Sequence, residues 1–204
     1  MIEKGKQKIV VDVACDAEEM KRASVLGAPY ENNTTIEQAL KPFDLSPETV
    51  DTLILTHLHG DHALNLKKFV NATIYVQEDE INFARNPHPL YANLFPKGRF
   101  DGIPFTTIKG DYPLADGVDL LFTPGHSAGT QSVAVRTAKG RALICGACSL
   151  PETFSPPDPS QQVLVSGIHL DLLKAYDSLL RIKKEADIIL PLHDPAFMNG
   201  TVIG

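Results

Sequence analysis

No apolar run in this 204-residue sequence approaches the length of a membrane span. The opening "MIEKGKQKIVVDVACD" sets lysines before a short apolar run and lacks the long apolar core of a signal peptide. The cytoplasm is therefore the expected compartment. Charge is not gathered by sign either: the net charge is −6, with no long block of one kind. That argues against a nucleic-acid partner and, with the missing apolar span, against a membrane partner; a small molecule is the expected partner. There are only three cysteines, an odd number, so no disulfide framework is expected. Linkers, low-complexity tracts and short repeats are absent. What remains is a composition of 43% hydrophobic and 22% charged residues, ordinary for a globular protein, at a length that suits one domain over 1–204.

The pattern along the chain is strands with helices between them. "KIVVDVA", "TLILT" and "ATIYVQ" read as buried strands, and "FTTIKG", "VDLLFT", "QSVAVRT", "ALICGA" and "DIILP" as further ones, separated by Gly, Pro and Asp turns. "NNTTIEQALKPF" reads as a helix with Thr34 and Glu37 at capping-box spacing and Pro42 as its stop. "LSPETV" reads as one helical turn capped by Ser46. "ALNLKKF" has a helical look, and "DLLKAYDSLLRIKKEA" is amphipathic at helical spacing. "LPETFSPPDP", with four prolines, reads as a loop and a candidate lid.

Polar chemistry gathers where strands end. "THLHGDH" places His57, His59, Asp61 and His62 within six residues, directly after an apolar strand. Residues two apart in extended backbone face the same way, so His57 and His59 can grip one ion. A turn at Gly60 would aim Asp61 and His62 from another direction. Zinc takes about four N, O or S ligands, and six residues here supply parts of two such shells. His126 in "TPGHSAG" and His193 in "LPLHDP" also follow strands at once. Of seven histidines only His88 and His169 fall outside this pattern; the first reads as a loop residue, the second as a capping or rim residue of the last helix.

"THLHGDH", "TPGHSAG" and "ILPLHDP", in that order, resemble the metal-binding motifs of the metallo-β-lactamase superfamily. "GDYPLADGVDLLFTPGHSAGTQSV" is similar to the N-acyl homoserine lactonase branch. The resemblance implies an α/β fold, a four-layer αβ/βα sandwich. It implies that His57, His59 and His126 hold one metal and Asp61, His62 and His193 a second, and that Asp12 supports the site from behind. Zinc, two ions per chain, is the implied cofactor, with iron or manganese as alternatives.

Four positions depart from that pattern. The bridging Asp of two-metal members is absent; 22 residues beyond His126 the sequence has Cys148, in "GAC". Cys148 reads either as a thiolate ligand in place of that Asp or as a plain buried cysteine beside a one-metal site. The lactonases' Tyr three residues on is Pro151 here. The usual Gly after the first-motif Asp is Ala14. Only eight residues precede "IVVD", so the expectation is that one sheet lacks its N-terminal edge strands or that a homodimer covers the edge. Cys145 and Cys148 form a C-x-x-C, but Cys145 and Cys15 are read as small buried residues.

The chemistry implied is acyl hydrolysis. Two divalent ions lower the pKa of a shared water, giving hydroxide at neutral pH, and polarise the carbonyl. Asp61 is the expected catalytic residue, ligating metal and orienting that water. A lactone or related ester is the first choice of substrate. The alternatives are a thioester or β-lactam hydrolase, or a metal-binding relative without turnover. A flavodiiron-type redox module is disfavoured by His59, where that family has Glu, and a nuclease by the lack of a basic stripe.

Overall fold

Alternating buried runs in the first half become a mostly parallel sheet. The computed structural model describes residues 1–5, 7–15, 34–95, 98–197 and 202–204. These form two compact units, Met1–Ile108 and Lys109–Gly204. In the first unit β1 (Ile2–Lys4), β2 (Gln7–Val11), β3 (Thr52–Ile54), β4 (Thr73–Gln77) and β5 (Phe105–Ile108) lie side by side in that order. β1 returns antiparallel on β2 at the edge, and β2 to β5 run parallel. Leu53 and Ile54 of β3 are fully buried, as a parallel strand requires. Val10, Leu53, Leu58, Ile74, Val76 and Phe69 share one apolar core. Parallel neighbours need crossovers: α1 (Ile36–Leu40) falls between β2 and β3, and α3 (Glu78–Arg85) between β4 and β5.

Two details differ from the sequence expectation in this unit. The capping box of α1 is one residue later, Thr35 with Gln38 in place of Thr34 with Glu37; two adjacent threonines offer the same hydroxyl. "ALNLKKF" begins its helix earlier. α2 (Gly60–Ala63) opens right after His59 and runs on as a tighter turn, Leu64–Lys68. Asp61 and His62 are thus in the helix, because His59 in extended conformation can end the strand segment and Gly60 can start a turn in the same step. Asn32 and Asn33 of the expected helix lie outside the described residues.

The second unit carries a sheet in the order β10-β9-β8-β7-β6, formed by β6 (Tyr112–Ala115), β7 (Val118–Phe122), β8 (Gln131–Thr137), β9 (Gly140–Cys145) and β10 (Ile188–Pro191). β6 to β9 are antiparallel neighbours, and β10 lies parallel to β9. The carboxyl ends of β7, β9 and β10 therefore share one edge of this sheet. α5 (Leu172–Glu185) packs Leu179 and Ile182 into a core with Leu121, Ala134, Leu143 and Cys145. The proline-rich 150–159 segment is not wholly loop. It starts with a single helical turn, α4 (Pro151–Phe154), because Pro151 at the first position suits a helix start and Phe154 finds the core. Among the described residues no helix is long and apolar enough to cross a membrane.

Candidate metal centre

In the first unit, the carboxyl ends of β2 and β3 bring together Asp12, Thr56, His57, His59 and His62. The Asp12 N–H donates to the Ile54 carbonyl at 2.9 Å, and the Val13 N–H to that of His62 at 2.9 Å. These tie the end of β2 to the start of α2. Asp12 has φ 55, a left-handed conformation that costs an L residue about 1–2 kcal/mol. It is held there by what its carboxylate does. Oδ1 accepts the Thr56 N–H at 2.8 Å, and Oδ2 accepts the Thr56 hydroxyl at 2.7 Å and His62 Nδ1–H at 2.8 Å.

Those contacts set the histidine tautomers. With Nδ1 of His62 donating to Asp12, Nε2 is the nitrogen left to bind a metal once its proton has gone. The Thr56 hydroxyl gives its proton to Asp12, so its oxygen accepts from His57 Nδ1 at 3.0 Å, and Nε2 carries the lone pair. A ligating imidazole is oriented by the bond its other nitrogen makes. His57, His59 and His62 are all buried. The His57 ring stands edge-on to His59 at 4.6 Å between centroids and lies 4.1 Å from His62. Phe95 packs edge-on against His59 at 4.9 Å.

Charge is arranged to favour a cation here. Burial alone would lower the pKa of His62, but Asp12 and then Asp61 outweigh it and push the value up to about 10. Asp61 Oδ2 is 3.3 Å from His62 Nε2. Its side chain is 39% exposed, so it can meet both a buried ion and solvent. Imidazole nitrogen and carboxylate oxygen suit zinc, iron or manganese, and the rings of His57 and His62 are oriented to offer such donors.

In the second unit His126, Cys148 and His193 lie at the shared edge of its sheet, after β7, β9 and β10. His126 is buried, and its Nδ1–H donates to the Ile168 carbonyl at 2.7 Å, again leaving Nε2 with the lone pair. The turn before it is locked to the start of α5. The N–H groups of Leu170 and Asp171 donate to the Gly125 carbonyl at 2.8 and 2.9 Å, and Ser178 Oγ donates to that of Pro124 at 2.7 Å. Gly125 has φ +123, and a Cβ there would lie 2.1 Å from the Ala175 nitrogen, so only glycine fits. Below the turn, Ser127 Oγ and Thr130 Oγ1 are 2.6 Å apart, and Thr130 also accepts the Ser127 N–H. The His193 N–H donates to the Ser149 carbonyl at 3.2 Å, which joins the ends of β10 and β9 beside Cys148.

The remaining residues fall as follows. Cys15 and Cys145 are buried, and burial pushes the Cys145 thiol up to about 11. Cys148 is half-buried. His88 caps a short turn by accepting the Leu90 N–H. His169 donates to the Ser166 carbonyl, and the cap of α5 is Asp171, not His169. Glu80, a fully buried carboxylate in α3, has no mark in the sequence, and its Oε1 accepts the Leu58 N–H at 2.9 Å. The run "EDEINFAR" gives no sign of which acid turns inward.

The model of the metallo-β-lactamase superfamily matches residues 1–193. The chain is a member of the metallo-β-lactamase superfamily. Among curated proteins it is similar to an N-acyl homoserine lactonase of Bacillus cereus, 31% identical over 160 residues, covering 76% of this chain and 60% of that protein. It is also similar to the N-acyl homoserine lactonase AiiB of Rhizobium rhizogenes, 31% identical over 186 residues, covering 80% and 67%. The chain spans about 60% of the length of the first curated relatives it matches. In structure it matches a quorum-quenching N-acyl homoserine lactone lactonase at 26% identity and TM-score 0.75, covering 98% of this chain and 80% of that one. It matches an N-acyl homoserine lactone hydrolase with N-hexanoyl-L-homoserine at its catalytic metal centre at 25% identity and TM-score 0.73, covering 98% and 82%. The chain has the metallo-β-lactamase fold, with two mixed sheets and helices, as the order of the motifs implies.

Proposed function

We infer that this protein is a cytoplasmic, metal-dependent hydrolase that opens a lactone, with an N-acyl homoserine lactone as the first substrate to try. The observation that carries the reading is the set of buried imidazoles whose Nδ1 atoms are engaged by oxygen acceptors, leaving Nε2 on each as a ligand atom. The curated relatives and the structure with product at its metal centre support the substrate class.

The residues read as holding one ion are His57, His59 and His126, and as holding a second Asp61, His62 and His193; each set has the donors to hold a metal. The two units are read as halves of one domain, which the single family match across both supports. Zinc is the proposed metal, two per chain. Divalent ions there would supply Lewis acidity toward a carbonyl and toward water. The chain's own groups do the rest. Asp61 orients the attacking water by accepting its proton at a carboxylate oxygen. Asp12 and Thr56 keep His57 and His62 in one tautomer through the reaction. Pro151 leaves no phenol at its position to assist the carbonyl oxygen, a role that bound ions would have to supply.

Cys148 is read as the ligand that replaces a bridging carboxylate, its thiolate facing the second ion. It stands outside both donor sets, which keeps open a one-ion centre that binds metal without turnover. The experiment is hydrolysis of a panel of N-acyl homoserine lactones, thioesters and β-lactams, with and without chelator. Chelator-sensitive ring opening is expected. No metal-dependent turnover on any of them, in protein with two ions bound, contradicts the reading.

A further inference from the structure

Three residues of α3's first turn are acidic: Glu78, Asp79 and Glu80. Negative charge is favoured at a helix start, but Asp79 and Glu78 supply it from exposed or half-buried positions. Glu80 is different, with 0% exposure. Burying a carboxylate is costly unless its bonds are made inside the protein, so its placement asks for a reason beyond the helix.

The reason lies 22 residues back. Parallel pairing of β3 with β4 sets the carboxyl ends of both strands side by side. α3 starts directly from β4, and the turn holding His57 and His59 follows β3. Glu80 Oε1 reaches across to accept the Leu58 N–H at 2.9 Å. Leu58 is the residue between the two histidines. Its N–H lies in the peptide plane shared with His57, so fixing it fixes both ψ of His57 and φ of Leu58. Those two angles are among the torsions that set how the His57 ring stands to the His59 ring, which is edge-on at 4.6 Å. The turn lies beyond β3, where no sheet partner would take this donor, and Leu58 is fully buried, so water would not take it either.

The geometry points to Glu80 as a positioning residue of the metal centre, one that sets metal affinity by holding the Leu58 peptide and hence the two imidazoles in a ready pose. The proposal rests on the metal-centre reading above and adds to it a carboxylate that touches neither ion nor substrate. A supporting group of this kind changes metal affinity by about 10–100-fold when removed.

The test uses zinc alone as probe, with a chromophoric chelator as competitor, on the full chain and its Glu80→Ala and Glu80→Gln variants. Glu80→Ala is expected to bind zinc at least tenfold more weakly. Glu80→Gln keeps a carbonyl acceptor at the same reach and should stay within about threefold of the parent. Cobalt substitution adds a spectral readout: the visible band should shift or weaken in Glu80→Ala and be preserved in Glu80→Gln. A Glu80→Ala protein with lowered unfolding midpoint but parental zinc affinity and cobalt spectrum contradicts the proposal, since Glu80 is then structural only. If Glu80→Ala does not fold, Glu80→Asp replaces it: the shorter side chain withdraws the acceptor and should bind more weakly than Glu80→Gln, and equal affinity of the two overturns the proposal. Parent protein that takes up no zinc fails the metal-centre reading itself, whereas zinc held equally by parent and Glu80→Ala fails this inference alone.

Discussion

Asp12 Oδ2 and His62 Nδ1 lie 2.8 Å apart, although the two residues are fifty positions apart in the chain. The same carboxylate holds Thr56, and through Thr56 it holds His57. One side chain in a left-handed conformation thus orients a member of each proposed ligand set. Asp12→Asn should weaken metal binding by about 10–100-fold, as loss of a supporting carboxylate does. Metal titration of both proteins checks this, and equal affinity would remove Asp12 from the account.

The same pair gives a pH dependence. His62 in the metal-free protein has its pKa raised from 6.5 to about 10. A raised folded pKa means that protonation of His62 stabilises the fold fully below pH 6.5 and that this contribution is lost as pH rises through about 10. A metal must displace that proton, so affinity should rise about tenfold per pH unit between those limits, with proton release on binding. Asp12→Asn removes the larger attraction, and the His62 midpoint should fall. An NMR titration of the metal-free imidazole reads both; a midpoint near 6.5 in the parent contradicts the electrostatic argument.

Ala14 shows how a sequence oddity becomes a stability prediction. It has φ 54, where the family's motif usually has glycine. Its carbonyl accepts the Asn65 N–H, so the backbone cannot relax freely. Relief of the left-handed strain, set against the extra freedom of glycine when unfolded, should make Ala14→Gly more stable by about 1 kcal/mol. Urea unfolding measures it, and a destabilised variant would mean that the alanine methyl has a packing role.

Gly125 makes the opposite prediction. A Cβ would collide with the Ala175 backbone, which belongs to a 14-residue helix and cannot move aside cheaply. Gly125→Ala should cost about 3 kcal/mol from overpacking and strain together and should weaken metal binding by displacing His126. Retained stability and metal affinity would show that α5 does not fix the turn.

The cysteines differ in burial, and alkylation reads that difference. Cys145 is buried with its pKa pushed up to about 11, and Cys15 is buried too, so neither should react in the folded protein at neutral pH. Cys148 should be labelled first. If its thiolate ligates the second ion, zinc should slow the labelling and a chelator should restore it. Labelling indifferent to zinc would leave Cys148 as packing.

Much of this was legible from spacing. Histidines two apart after an apolar strand marked a candidate metal-binding pair, and Pro47 and Ser46 announced a single helical turn. Periodicity found α5 because its apolar stripe is long. It did not find α3, since "EDEINFAR" has too few apolar residues to mark a face, nor β6, whose Pro113 argues against a strand and is tolerated because β6 is an edge strand. Asp12 was legible only by resemblance, and Glu80 not at all, because their roles depend on bonds between residues far apart in sequence. The second-unit anchors of His126 were hidden for the same reason: a carbonyl at Ile168 carries no sequence signature.

The account stands or falls on metal. Its most direct measurement is elemental analysis of the purified chain beside a His57→Ala, His59→Ala double variant. The account predicts metal in the parent, rising to two zinc ions per chain on reconstitution, and loss of at least one ion in the variant. Full metal content in the variant, or a parent that takes up none on reconstitution, contradicts it.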